Sequence, residues 1–181
     1  MDHLWSPWRL DYVTTEKPAE GCVFCLAAEA SAKAGRATAT RDPLIVFGGP
    51  TVYVILNRYP YNNGHVMVVP RRHVATLVEL TSNELVEVAS LTQRSEAVLR
   101  EAYKLEGINV GINLGKSAGA GIHEHLHVHL VPRWSGDTNF MAVIGETRVL
   151  PEDLPSTAAR LAPIFERLAR AAGKPQLPID L

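Results

Sequence analysis

Four of the seven histidines in this 181-residue chain occupy alternate positions in the stretch GIHEHLHVHLVPRW, residues 121–134. They are His123, His125, His127 and His129. Because alternate side chains of a β-strand point to the same face, the spacing predicts a row of imidazoles opposite a row of apolar residues. A neutral imidazole is nucleophilic near pH 7 and can attack phosphorus through one ring nitrogen. The row therefore favours phosphoryl or nucleotidyl transfer through a covalent histidine intermediate.

Two other interpretations of the row stay open. One is a solvent-facing strand whose exposed positions happen to be histidine, which the unbroken apolar pattern on the opposite face disfavours. The other is a zinc-dependent hydrolase, since histidines at i and i+2 of a strand can share an ion. Hydrolytic metal sites of that kind usually add nearby carboxylates, and the first one downstream of the row is Asp137.

A glycine-rich stretch, GKSAGAG at residues 115–121, leads directly into the histidine row. Glycines let backbone N–H groups approach an anion closely, and Lys116 and Ser117 add a positive charge and a hydroxyl. Most glycine-rich stretches are plain turns. Its position beside the histidines makes this one a candidate phosphate-binding loop.

The sequence resembles the histidine triad (HIT) superfamily, whose signature alternates three histidines with apolar residues. The matching stretch is HLHVHLV, residues 125–131. The stretches NRYPYNNGHVMVVPRRH and NLGKSAGAG resemble the family's ribose-binding turn and phosphate loop, and the likeness runs from about Cys22 to Arg148. Within the superfamily the chain resembles the bacterial diadenosine tetraphosphate phosphorylase branch. That resemblance rests on LWSPWRLDY, NLGKSAG, Glu124 and PRWSGDTNF.

The resemblance implies a role for each motif residue. His127 would attack the α-phosphorus and form a nucleotidyl-phosphoramidate, while His129 and His65 would hydrogen-bond phosphate oxygens. Asn57 would bind the ribose hydroxyls. The implied phosphate contacts are Asn113, Lys116, Ser117, Gly119, Gly121 and Glu124.

One departure from the family pattern bears on the acceptor. Hydrolase and phosphoramidase branches usually carry Gln, then Ser or Thr, four and three residues before the first triad histidine; here those positions are Gly121 and Ile122. The departure favours a phosphorylase that uses phosphate as acceptor. The alternatives are a dinucleotide or phosphoramidate hydrolase that uses water, and a nucleotide-binding module without turnover.

The chain's two cysteines, Cys22 and Cys25, form a CxxC pair. In a cytosolic chain this spacing points to metal or redox chemistry before a structural disulfide, although free cysteines are often simply buried. The pair supplies half of a tetrahedral zinc shell. The HIT resemblance implies that His73 and His125 complete a structural zinc site.

The elements that must position these residues are short strands around one long helix. Strands are predicted at PLIVFGG, TVYVILN, HVMVVP, GINVGINLG and the histidine stretch. A capping box at TSNE opens the long helix, whose predicted apolar positions are Leu85, Val88, Ala89, Leu99 and Tyr103. The alanine-rich stretch CVFCLAAEASAKAGRATAT is predicted to begin as a short helix and to loosen after Gly35. A C-terminal helix is predicted from near Ser156 to Gly173, through Leu161, Ile164 and Leu168. This pattern predicts an α+β, HIT-like fold with a mostly antiparallel sheet of about five strands.

Length and composition predict a single domain over residues 1–181, with an N-terminal arm (about 1–21) and a C-terminal helical extension (about 152–181). A net charge of −1 disfavours nucleic-acid and membrane-surface partners. The expected partner is a small-molecule nucleotide. No apolar run is long enough to span a bilayer, so the expected location is the cytoplasm. The superfamily resemblance implies a homodimer.

Overall fold

The computed structural model describes residues 21–33, 42–137 and 151–172. Within these ranges the chain forms three α-helices and five strands. In chain order they are α1 (Val23–Lys33), β1 (Ile45–Gly48), β2 (Val52–Leu56), β3 (Val66–Pro70), α2 (Ser82–Tyr103), β4 (Gly107–Ile112), β5 (Val128–Arg133) and α3 (Leu154–Ala172). Most of the predicted N-terminal arm, including Trp5 and Trp8, lies outside the described residues. None of the described helices combines the length and apolarity needed to cross a membrane.

The strands form one antiparallel sheet in the order β1-β2-β3-β5-β4. This confirms the predicted α+β class and the five-stranded sheet. β5 lies between two neighbours, so His129 pairs with Met67 of β3 on one side and with Gly111 of β4 on the other. Hydrogen bonds along both edges hold the backbone of such an inner strand in place. The last histidine of the row is therefore anchored in the sheet.

The capping box at the start of α2 forms as predicted. Thr81 accepts a hydrogen bond from the Glu84 N–H, and the Glu84 carboxylate accepts one from the Thr81 N–H at 2.8 Å. Arg72 donates to the same carboxylate at 3.0 and 2.8 Å. This pairing lowers the pKa of Glu84 to about 2, first through the Arg72 hydrogen bond and then through the backbone of Thr81. The start of α2 is thus tied to the segment that follows β3.

The buried face of α2 agrees with the prediction at Val88 and Leu99 and differs from it elsewhere. Leu85 and Ala89 face solvent. The residues turned toward the sheet are Glu84, Val88, Leu91, Ser95, Val98 and Leu99. Two members of this helical stripe are polar: Glu84 because it caps the helix, and Ser95 because its hydroxyl donates to the Leu91 carbonyl at 2.7 Å. A prediction that considers apolar residues alone therefore assigns the wrong buried face to this helix.

α3 packs against α2 and the same face of the sheet. It begins at Leu154, two residues before the predicted start, because the Asp153 carboxylate accepts a hydrogen bond from the Ser156 N–H at 2.8 Å and caps the helix. Leu161 is fully buried as expected. So is Phe165, which the prediction missed and which stacks on Phe47 with 5.5 Å between ring centroids. This face forms the larger hydrophobic core.

The opposite face of the sheet is covered by α1. Phe24, Ala27 and Ala28 pack there against side chains of β1, β2 and β3. The Tyr53 hydroxyl donates to the Phe24 carbonyl at 2.8 Å inside this second core. The first three strands are therefore buried on both faces, and α1 is held where the sheet carries the histidines.

The histidine stretch forms less strand than predicted. β5 begins only at Val128, so His129 lies in the strand and His125 and His127 precede it. Leu126 and Val128 are both buried, and Val128 lies in the larger hydrophobic core. The histidine side is not open to solvent, however: His125 and His127 are 1% and 5% exposed. α1 lies over this side of the sheet and packs Phe24 against both rings, so the alternative of a solvent-facing row is wrong for these two histidines.

Candidate nucleotidyl-transfer site

His127 has one ring nitrogen engaged by the protein. Its Nδ1 lies 2.8 Å from the backbone carbonyl oxygen of His125, which can only accept, so Nδ1 carries the proton. The lone pair of the neutral ring is then on Nε2. Burial lowers the pKa of His127, which keeps the ring neutral near pH 7. This tautomer and charge state are those required of a histidine nucleophile that attacks through Nε2.

A second histidine pair lies beside the first ring. The Tyr61 N–H donates to Nδ1 of His65 at 3.1 Å, so the proton of neutral His65 is on Nε2. That Nε2 lies 3.0 Å from Nδ1 of His129 and donates to it. Neutral His129 therefore carries its own proton on Nε2. Its ring meets that of His127 edge-on, with 4.7 Å between centroids.

The His129 ring is kept neutral by its surroundings. Burial, followed by neighbouring His127, lowers the pKa of His129 to about 4. Below that pH the ring would carry a charge; at neutral pH it offers a single uncharged N–H donor. His65 uses both ring nitrogens for contacts within the protein and is 1% exposed. A direct contact from His65 to a phosphate oxygen is therefore disfavoured, and its effect on a substrate would pass through His129.

The four predicted metal ligands come together. One donor atom from each of Cys22, Cys25, His73 and His125 lies within 4.8 Å of the other three. Sγ of Cys22 is 3.2 Å from Nδ1 of His125, and Sγ of Cys25 is 3.3 Å from Nδ1 of His73 and 3.6 Å from Nδ1 of His125. Ligands about 2.0–2.3 Å from a tetrahedral zinc would be about 3.3–3.8 Å apart, so the cluster has suitable dimensions.

The tautomer of His125 suits a metal ligand. Its Nε2 lies 2.9 Å from the Pro70 carbonyl oxygen and donates to it, which leaves the Nδ1 lone pair directed toward the two cysteines. A hydrogen bond of this kind commonly orients a metal-binding histidine. The backbone carbonyl of the same residue holds Nδ1 of His127. His125 thus links the Cys/His cluster to the candidate nucleophile.

The glycine-rich loop joins β4 to β5. Ile112 at the end of β4 pairs with Val128 at the start of β5, so Asn113 leaves the sheet next to the histidine stretch. The loop then forms a 3-10 turn, Lys116–Ala118, flanked by Gly115 at φ +82° and Gly119 at φ +84°. These left-handed conformations favour glycine. Lys116 and Ser117 are exposed, as is Gly121.

The predicted ribose-binding turn is held by its own polar groups. The Asn57 N–H donates to the His65 carbonyl at 3.0 Å, and Oδ1 of Asn57 accepts from the Tyr59 N–H at 2.9 Å. Asn57 is half-buried. Asn62 in the same turn donates to Asp137 at 2.7 Å, which joins the turn to the end of β5. The structure thus places Asn57 and His65 at the two ends of one turn.

Glu124 and His123 lie at the margin of the site. The Glu124 side chain is exposed and lies 3.5 Å from His123. Regular strand alternation would have turned Glu124 toward the core; because the strand begins only at Val128, that conflict does not arise. His123 makes this surface contact and is separate from the buried histidines.

Comparison with known proteins identifies the family. The HIT domain family profile matches residues 39–136. This chain belongs to the HIT family. An AP-4-A phosphorylase of Mycobacterium tuberculosis is 41% identical over 168 residues, which cover 92% of this chain and 86% of that protein. A bis(5'-adenosyl)-triphosphatase of Dictyostelium discoideum is 31% identical over 133 residues, with 70% and 88% covered.

The fold agrees with solved HIT structures. A zinc-bound histidine triad family protein from Mycobacterium smegmatis superposes with a TM-score of 0.63 at 26% identity. The match covers 83% of this chain and 97% of that one. The HIT fold predicted from the sequence is therefore confirmed.

Two side chains of this HIT site were missed from the sequence. Phe24, inside the CxxC pair, packs its ring 5.3 Å from that of His125 and 5.1 Å from that of His127. Its position between the two cysteines was a usable signal. Tyr61 stacks on His65 with 5.0 Å between centroids. No motif marks Tyr61, because its contact depends on how the turn folds back.

Proposed function

We propose that this HIT protein cleaves dinucleoside polyphosphates through a nucleotide covalently bound to His127. The observation that carries the proposal is the hydrogen bond from Nδ1 of His127 to the His125 carbonyl, which leaves Nε2 as the nucleophilic atom. The relatives named as a phosphorylase and a triphosphatase support the substrate class.

The reaction has two displacements at one phosphorus. Nε2 of His127 attacks the α-phosphorus, an N–P bond forms, and the P–O bond to the departing polyphosphate breaks. With diadenosine tetraphosphate this releases ATP and leaves AMP on the ring. The positive charge on the ring is stabilised by the His125 carbonyl at Nδ1, and Nε2–H of His129 donates to a phosphate oxygen. An acceptor oxygen then attacks the phosphorus, and the N–P bond breaks.

We infer that the acceptor is phosphate, which makes the second product ADP. Gly121 and Ile122 supply none of the polar side chains that hydrolase branches place before the triad. The relative named AP-4-A phosphorylase supports the same choice. Water as acceptor would release AMP and make the protein a hydrolase; the relative named a triphosphatase keeps this second candidate open.

The remaining contacts are proposals from the same resemblance, supported by the position of the loop beside the triad. Asn57 binds the ribose hydroxyls. The phosphates are held by the side chains or backbone N–H groups of Asn113, Lys116, Ser117, Gly119, Gly121 and Glu124. Lys116, Ser117, Gly121 and Glu124 are exposed and therefore accessible to a ligand, whereas Asn57, Asn113 and Gly119 are half-buried.

The deciding experiment is incubation with diadenosine tetraphosphate, with and without phosphate. ADP and ATP formed only with phosphate identify a phosphorylase; AMP formed without phosphate identifies a hydrolase. His127→Ala should lose at least about 10³-fold in rate. His123→Ala is the matched control and should keep the parent rate. A His127→Ala protein that cleaves as fast as the parent would exclude the covalent mechanism. If the parent cleaves nothing with or without phosphate, the protein is a nucleotide-binding module without turnover.

We also propose that Cys22, Cys25, His73 and His125 hold a structural zinc ion. The donor set, the interatomic distances and the orientation of His125 support this. Zinc would tie α1 to the histidine stretch. Metal analysis should give about one zinc per chain, and Cys22→Ser should lower both the zinc content and the melting temperature. Purified protein that contains no metal and has both cysteine thiols reactive would refute the zinc proposal. If the zinc were catalytic instead, adding a chelator would lower the cleavage rate before the protein unfolds.

A further proposal concerns the organisation of the whole chain. We infer one domain over the whole chain, a cytoplasmic location and a homodimer. β4 lies at an edge of the sheet with Val110 exposed, which supports pairing with a second copy. Light scattering should give twice the mass of the chain; a single-chain mass at micromolar concentration would exclude the dimer.

A further inference from the structure

Tyr61 makes three contacts with one histidine pair. Its N–H donates to Nδ1 of His65 at 3.1 Å. Its ring lies nearly parallel to that of His65, with 5.0 Å between centroids and 29° between planes. The ring also lies over His129 at 6.3 Å and 28°. The side chain is 43% exposed, whereas His65 is 1% exposed. Tyr61 therefore forms the outer layer over both imidazoles.

The His65–His129 hydrogen bond can exist in two directions. In one direction, which follows when the Tyr61 N–H donates to Nδ1 of His65, Nε2–H of His65 donates and His129 keeps its proton on Nε2. In the reverse direction Nδ1–H of His129 would donate, and its Nε2 would present a lone pair to the substrate. A lone pair repels phosphate oxygens, whereas an N–H attracts them. The backbone of Tyr61 therefore selects the useful direction.

We propose that Tyr61 is a positioning residue that holds His129 in the tautomer that donates from Nε2. Stacking on both rings seats the tyrosine so that its N–H stays on His65. This inference rests on the proposed function, in which His129 donates to the phosphate. It also extends the role of His65, which acts through His129.

The surroundings of His129 are consistent with this role. The titratable side chains that face it among the described residues are His127, His65 and Tyr61 itself, while the paired strands contribute Met67 and Gly111. Burial lowers the pKa of His129. Removing the Tyr61 ring admits water to the pair, so the pKa should rise and the two tautomers should mix.

The test uses nuclear magnetic resonance of ¹⁵N-histidine-labelled full-length protein without nucleotide. The parent and Tyr61→Phe should show His129 protonated on Nε2 at pH 7. Tyr61→Ala should show mixed tautomers and a His129 pKa higher by about one unit. Tyr59→Ala changes a ring two positions away in the same turn and should leave the His129 spectrum unchanged. Cleavage assays should show kcat lowered roughly tenfold in Tyr61→Ala and restored in Tyr61→Phe.

If His129 in Tyr61→Ala has the same tautomer and pKa as in the parent, the inference is wrong. It is also wrong if Tyr59→Ala changes the His129 tautomer and pKa as much as Tyr61→Ala does. If Tyr61→Ala does not fold, Tyr61→Leu replaces it: an aliphatic side chain cannot lie flat on two imidazole rings, so mixed tautomers are again expected, and a parental spectrum again refutes. Because the spectra need no substrate, failure of the proposed function would appear only in the cleavage assay.

Discussion

Replacing Phe24 by alanine tests whether α1 holds the ring of His127, the proposed nucleophile, in position. The Phe24 side chain is 3% exposed. Replacing a buried phenylalanine by alanine usually costs about 3–5 kcal/mol of stability. Two ring contacts, to His125 and His127, contribute about 1–3 kcal/mol of this through aromatic pairing. The cavity would also free the His127 ring, so kcat should fall roughly tenfold to a hundredfold.

The matched control is Phe165→Ala. Phe165 is equally buried in the other core, where it stacks on Phe47 and lies on the face of the sheet opposite α1. The two variants should lose similar free energy of unfolding in urea titrations. Only Phe24→Ala should lose kcat when both are assayed under conditions that keep them folded.

An equal loss of kcat in the two variants would refute the reasoning, because the effect would then follow stability alone. An unchanged kcat in Phe24→Ala would show that the His125 carbonyl is enough to hold His127. If the alanine variants are too unstable, Phe24→Leu and Phe165→Leu provide the same comparison at a smaller cost.

Two further predictions concern stability. The pKa of His129 in the fold, about 4, lies below its ordinary value of 6.5, so the unfolded chain takes up the proton first. The free energy of unfolding should therefore be undiminished above pH 6.5 and should fall by up to about 3 kcal/mol toward pH 4. Urea titrations should show a weaker pH dependence in His129→Gln than in the parent. An identical pH dependence in the two proteins would contradict the lowered pKa of His129. Glu84→Ala should cost about 1–3 kcal/mol, because it removes the Arg72 pair and the cap of α2 together. Glu96→Ala removes an exposed pair with Arg100 and should cost less than about 0.5 kcal/mol, and equal losses in the two variants would refute the role of the cap.

Local signals accounted for most of the elements. The capping box located the start of α2 at Ser82, and β-rich runs bounded by turns located all five strands. The errors arose where a polar residue had a partner distant in sequence. Glu84 is buried because Arg72 reaches it, and β5 starts late because its neighbours stop pairing at Val128.

The residues of the site were found mainly through the family pattern, and the structure brings many of them together. The four cluster residues span positions 22 to 125, so their proximity could not follow from spacing within any one element. Phe24 and Tyr61 were missed for the same reason: each contacts a histidine across a gap in sequence that no periodicity describes.

The sequence by itself determined the chemistry that is available: alternating imidazoles, a glycine-rich loop and a CxxC pair. Only the tertiary structure decided how each imidazole is used. His125, His127 and His129 have the same two ring nitrogens, and only their neighbours distinguish them. The Pro70 carbonyl accepts from Nε2 of His125, which leaves Nδ1 facing the cysteines. The His125 carbonyl accepts from Nδ1 of His127, which leaves Nε2 with its lone pair. The Tyr61 N–H donates to His65, whose other ring nitrogen contacts Nδ1 of His129. A proton goes to the nitrogen that faces an acceptor, and the fold alone sets which nitrogen that is.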